Sequence, residues 1–113
     1  MPADLGHTFA ALGDPKRLAV IGLLRDKPLR SGDIAAALSV DHSVVSRHLR
    51  VLRKAGLVEE QGLEDDARVR VYRLRQQGFS DLRGWLDEIE AFWQDQLSAF
   101  KAHAERKSRS RRK

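Results

Sequence analysis

Between Val44 and Val58 the chain reads VVSRHLRVLRKAGLV, in which Arg47, His48, Arg50, Arg53 and Lys54 are interleaved with aliphatic residues and no acid occurs. Cations spaced like this are suited to an array of fixed negative charge. On a helical wheel Val45, Leu49, Leu52 and Gly56 fall within about 60° of one another and form an inward stripe. Ser43, Arg47, Arg50 and Lys54 lie about 180° away, as an outer face. His42, Ser46 and Arg53 flank that face on one edge, and Val44, His48, Val51 and Ala55 on the other. A face that serves only solubility mixes signs, because opposite charges four residues apart stabilise a helix slightly. This face carries one sign. Short polar groups and Arg in its first turns suit base edges in a major groove, and its later cations suit phosphates. His48, at the margin of the inward stripe, reads as a packed histidine donating to a backbone carbonyl.

The surrounding elements must hold that helix in place. Asp14-Pro15 marks a helix start: Asp as N-cap, then Pro where its missing N–H costs nothing. Leu18, Ile21, Gly22 and Leu24 follow at helical spacing, and Lys27-Pro28 ends the segment. Upstream, Leu5, Phe9 and Leu12 form a short apolar stripe that Gly13 can terminate. Ser31 reads as the cap of a brief helix over 32–38. Ser39-Val40-Asp41 is then a tight connection, with Asp41 capping the basic helix and Gly56 ending it in the left-handed conformation. Past Gly56 the period changes. LVEEQ and RVRVYRL alternate in the manner of two short strands around a turn, GLEDDA. From Ser80 the helical period returns. Leu82, Trp85, Leu86, Ile89, Phe92, Trp93, Leu97 and Phe100 define one broad stripe over about 25 residues. The order predicts a mainly α fold with a small β-hairpin: a winged helix-turn-helix with a long C-terminal dimerisation helix.

Composition narrows the alternatives. The chain has 113 residues, no cysteine and a net charge of +5. Thiol chemistry and disulfides are excluded, and a reducing cytoplasm is the expected compartment. No apolar run approaches the roughly 20 residues of a membrane span, and the N-terminus lacks the order of a secretory signal. The six basic residues of 106–113 exceed the net charge, so residues 1–105 sum to −1. The organisation expected is therefore one domain over 1–105, including its dimerisation helices, and a basic disordered tail over 106–113. Within the body, 42–56 is wholly basic among its charges, whereas Asp81, Asp87, Glu88, Glu90, Asp95 and Glu105 make the last helix acidic. One region attracts a polyanion and the other repels it. No Ser/His/Asp set, phosphate-cradling glycine loop or convergent carboxylate pair is visible, and no enzyme activity is expected.

ALGDPKRLAVIGLL, SGDIAAALSVDHSVVSRHLRVLRKAGLV and RVRVYRL resemble the ArsR/SmtB family of dimeric bacterial winged-helix repressors, over roughly residues 9–74. The aromatic last helix resembles that of one subgroup. Together with the wheel, the resemblance implies that His42, Ser43, Ser46 and Arg47 reach base edges, and that Val44 offers methyl groups to thymine. Arg47 is the expected bidentate reader of guanine. Arg50 and Lys54 are expected on phosphates, and Arg30 and Ser31 as backbone clamps. Arg68 and Arg70 are expected at the wing, with the acidic tip Glu64, Asp65 and Asp66 held off the duplex. The surplus apolar surface of Leu82, Trp85, Leu86, Ile89, Phe92, Trp93, Leu97 and Phe100 calls for a homodimer, together with Leu5, Phe9 and Leu12. The partner implied is double-stranded DNA carrying a palindromic promoter site, bound at the bacterial nucleoid. A protein-interaction module or a non-specific DNA binder is the competing reading.

The resemblance carries no sensor across. The cysteine pair of some relatives has no counterpart in PLRSGDIAAAL, and the last helix holds one histidine, His103, about 160° around from Asp87. Three or four converging ligands are wanted for zinc or nickel, so neither metal nor other cofactor is expected. A small-molecule effector of unidentified nature, seated near Trp85, Phe92 and Trp93, is the remaining alternative, although such stripes are more often dimer core.

Overall fold

The computed structural model describes residues 5–63 and 66–111. Seven elements follow in order: α1 (Leu5–Leu12), α2 (Pro15–Asp26), α3 (Ser31–Leu38), α4 (His42–Lys54), β1 (Val58–Leu63), β2 (Asp66–Leu74) and α5 (Gln76–Arg111). The chain divides into two compact units, one up to Leu82 and one from Arg83 onward. Fold class and element order agree with the sequence reading. No helix among the described residues is long and apolar enough to cross a membrane.

The first unit is built around Val20, Leu24, Ile34, Val45, Leu49, Leu52, Leu57 and Val58, all buried. Each large aliphatic side chain so enclosed contributes about 1.5–3 kcal/mol. The Asp14 cap is present, its carboxylate accepting from the backbone N–H of Lys16 at 2.8 Å and of Arg17 at 3.1 Å. Three local details differ from expectation. Leu18 is exposed and the buried positions of α2 are Val20 and Leu24, because this helix is apolar on several sides and spacing alone does not fix its phase. Arg30, not Ser31, occupies the N-cap of α3, and Ser31 is the first helical residue. Asp41 stands at the N-cap of α4 without a side-chain cap; its carboxylate accepts instead from the Ser43 hydroxyl.

α4 ends as expected. Gly56 has φ +76°, its N–H donates to Arg53 O at 3.0 Å, and the Leu57 N–H donates to Leu52 O at 3.0 Å. These are the paired hydrogen bonds of a Schellman terminus. β1 and β2 pair antiparallel, with Val58 opposite Leu74, Glu60 opposite Tyr72 and Gly62 opposite Arg70. The pairing continues to Leu63 on one side and Asp66 on the other, past an irregularity at Gly62/Leu63, so the strands are longer than the sequence suggested. The tip residues Glu64 and Asp65 lie outside the described residues. A further bridge was not foreseen: Leu29 and Tyr72 exchange backbone hydrogen bonds of 3.1 and 2.7 Å, tying the α2–α3 connection to the wing.

α5 is 36 residues, about 54 Å at 1.5 Å per residue. It starts four residues before Ser80 and continues through Arg111, where the sequence reading had a disordered tail from Arg106. Lys and Arg are good helix formers, and cations suit a helix C-terminus. In the second unit Leu86, Ile89, Phe92, Trp93, Leu97 and Phe100 are exposed, Phe100 by 71%. Trp85, like Leu82 in the first unit, is half-buried. Leu5, assigned from sequence to a dimer surface, is only 2% exposed in its own chain, and Leu12 packs on the core, whereas Phe9 stays 43% exposed.

Candidate nucleic-acid interface

The wheel drawn from sequence is the arrangement found in α4. Val45, Leu49 and Leu52 are buried, and Ser43, Arg47, Arg50 and Lys54 are exposed. His42, Ser46 and Arg53 are exposed as well, and Val44 is half-buried at the edge. α3 and α4 are joined by a turn in which Ser39 takes φ 54°, and the Val40 N–H donates to Ala35 O at 3.1 Å. The turn sets the start of α3 beside the start of α4. Ser31 Oγ lies 2.8 Å from His42 Nε2, so an expected backbone clamp and an expected base reader form one polar pair. At its other side Asp41 accepts from Ser43, and that hydroxyl bond is the first cause of an Asp41 carboxyl held below its ordinary range.

Two side chains that sequence reasoning left aside tie α4 to its neighbours. Arg17 of α2 donates from Nε to Ala11 O at 2.6 Å and from Nη2 to Ala10 O at 3.2 Å, closing the C-terminus of α1. Its Nη1 lies 3.3 Å from Nδ1 of the buried His48. Arginine can only donate, so Nδ1 accepts and the imidazole is neutral with its proton on Nε2. His48 is packed, as expected, but it accepts at Nδ1 from a side chain. Burial above all pushes its pKa below the ordinary 6.5.

Glu60 is the second. From the middle of β1 it takes Arg53 Nη1 at 3.0 Å and Arg70 Nε at 3.3 Å, and receives the Tyr72 hydroxyl at 3.4 Å. Arg70, expected on DNA phosphate, is therefore engaged within the chain. Arg53 is held in the same way, and Arg73 pairs with Glu59 at 2.6 Å. Arg30, Arg68, Arg50 and Lys54 are exposed. No group of three or more His, Asp or Glu residues that could hold a metal occurs among the described residues.

A helix with a bare, single-signed outer face, set by a tight turn behind a shorter helix and followed by a two-stranded wing, is the geometry of a winged helix-turn-helix DNA binder. Comparison with known proteins places it further. The family model for bacterial regulatory proteins of the arsR family matches residues 14–60. The HTH-type transcriptional regulator Rv2034 of Mycobacterium tuberculosis is 37% identical over 94 residues, covering 83% of this chain and 82% of its own length. The chain belongs to the arsR family. The HTH-type transcriptional regulator NmtR of the same organism is 45% identical over 56 residues, a match spanning half of this chain and 47% of NmtR. Among solved structures, an ArsR-like transcriptional regulator from Rhodococcus sp. RHA1 superposes with a TM-score of 0.78 at 29% identity. That superposition covers 91% of this chain and 92% of the Rhodococcus one. The arsR-family match contains the whole of α2, α3 and α4 and reaches into β1.

Proposed function

We propose that this chain is a homodimeric, sequence-specific repressor that occludes a palindromic promoter operator in the bacterial cytoplasm. The observation that carries the reading is the outer face of α4: Ser43, Arg47, Arg50 and Lys54 exposed together, without an acid between residues 42 and 56. In this reading His42, Ser43, Val44, Ser46 and Arg47 meet base edges. Arg50, Lys54, Arg30, Ser31 and Arg68 meet phosphates, and the bonds of Glu60 leave Arg70 a lesser share. Two such helices in a dimer would address half-sites about 34 Å apart, one turn of B-form DNA.

The test begins with fragments of genomic DNA selected by the purified protein. A recovered palindromic duplex is expected to compete far better than a scrambled duplex of equal length. Arg47→Ala is expected to remove most of that preference, a loss of about 1–3 kcal/mol per half-site, while weak binding to scrambled DNA persists. Equal competition by both duplexes would favour a non-specific binder. Failure of either to bind would favour a surface for acidic proteins.

A further inference from the structure

One hollow of the first unit borders the face assigned to DNA and shares Lys54 with it. It has a volume of about 540 Å³ and lies where α1, α2 and α4 meet. Its apolar walls are Ala10, Ala11, Val51 and Ala55, and its other lining residues are His7, Arg17 and Lys54. The volume falls within the roughly 300–1,000 Å³ typical of small-molecule sites, which also combine apolar walls with a few placed polar groups.

The lining specifies the chemistry of an occupant. Arg17 and Lys54 are cations, and no acid is among the described residues that line the hollow. An uncharged or cationic molecule would leave both charges unanswered. Phosphate would leave four apolar walls in contact with water. A small anion with an apolar body satisfies both. Alanines leave room for a flat or branched body, and Arg17 needs little reorganisation to receive a carboxylate. Its three contacts, to Ala10 O, Ala11 O and His48 Nδ1, hold the guanidinium in place and use three of its five N–H groups. Lys54 is exposed, and among the described residues it takes part in no ion pair.

We propose that this hollow binds a small organic monocarboxylate, its apolar body on Ala10, Ala11, Val51 and Ala55 and its carboxylate between Arg17 and Lys54. Lys54 is shared with the face of α4 that the proposed function assigns to DNA. On that reading, an occupant draws the lysine away from phosphate and weakens operator binding.

Binding can be tested without DNA, so its failure is separable from failure of the repressor reading. Benzoate and hexanoate, each paired with the matching alcohol, are titrated into the full chain and followed by backbone amide shifts. The carboxylates are expected to saturate with shifts centred on Ala10, Ala11, Val51 and Ala55, and the alcohols to bind at least about tenfold more weakly. Ala10→Leu fills the hollow from an exposed helical position. It is expected to lose carboxylate binding while keeping the wild-type unfolding midpoint. Absence of saturable binding at about 1 mM, equal binding of acid and alcohol, unchanged binding by Ala10→Leu, or shifts centred on Trp85 and Trp93 instead would each overturn the site. With operator DNA present, benzoate is expected to lower its affinity in wild type and not in Lys54→Gln. Unchanged DNA affinity in saturating benzoate would overturn the coupling.

Discussion

His48 is the residue at which fold and charge are most closely joined. It is buried at 9% exposure and accepts from Arg17; burial above all disfavours a second proton there, Asp14 favours one, and Arg17, Arg47 and Lys16 add to the disfavour. Its pKa in the folded chain therefore lies below 6.5. As pH falls past the unfolded value the unfolded chain takes up the proton first, and stability declines until the folded value is passed. Above that window the group contributes no pH dependence. Asp14, lowered chiefly by the Arg17 N–H, acts in a separate window: its contribution is present above 3.8 and is lost at lower pH. His48→Gln keeps an acceptor for Arg17 and cannot titrate. Its urea midpoint is expected to fall less than that of wild type between about pH 8 and pH 5.5, and equal falls would remove His48 as the cause. A second residue-scale test lies at the end of α4. A Cβ on Gly78 would stand 2.2 Å from the Gly56 carbonyl oxygen, backbone against backbone. Gly78→Ala is expected to destabilise the first unit by about 1–3 kcal/mol in urea unfolding. The need for Gly56 could be read from its place after a helix. The need for Gly78 could not, since it arises from a contact 22 positions away in the chain.

Among the elements, α4 was legible because burial enforces its period: an inward stripe of Val45, Leu49 and Leu52 leaves one phase for every cation. The wing was legible only as two strands. Which residues face each other depends on register, and register depends on a tip that the sequence does not fix. Once Glu60 stands opposite Tyr72, it reaches Arg70 diagonally and Arg53 on the neighbouring helix, so Arg70, which the resemblance placed on DNA, and Arg53, at the edge of the outer face, are paired within the chain. Glu60 thus competes with phosphate. Glu60→Gln is expected to strengthen binding to scrambled duplex and to steepen its salt dependence by roughly one to two units of slope, as Arg53 and Arg70 gain access to phosphates. Glu59→Gln, which releases Arg73 alone, is expected to do less. The measurement is affinity for a scrambled duplex across a range of salt. An unchanged slope in Glu60→Gln would show that the two arginines stay away from DNA even when unpaired.

For the molecule as a whole, the unanswered surface is on α5. Phe92 is 55% exposed, Trp93 59%, Leu97 56% and Phe100 71%, on one broad side of the helix. Phe92 and Trp93 meet edge to face at 6.3 Å, an arrangement that leaves much of both rings to solvent. A soluble monomer seldom leaves so large an aromatic patch bare. The flanking acids Asp87, Glu88, Glu90 and Asp95 make DNA an unsuitable cover for it. A second copy is suitable, because a twofold axis sets the same apolar side against itself and leaves the acids at the rim. Leu5 and Leu12 are already used inside one chain, so the expected interface rests on α5. Trp93→Glu places a charge in the middle of that interface. Wild type is expected to sediment at twice the chain mass and Trp93→Glu at the mass of one chain. The variant's affinity for a scrambled duplex should be little changed per chain, since α4 is untouched, while its affinity for the palindrome should fall toward that of a single half-site. A variant that sediments as one chain yet holds the palindrome as tightly as wild type would mean that each copy reads DNA alone, and the aromatic side of α5 would then need a different occupant.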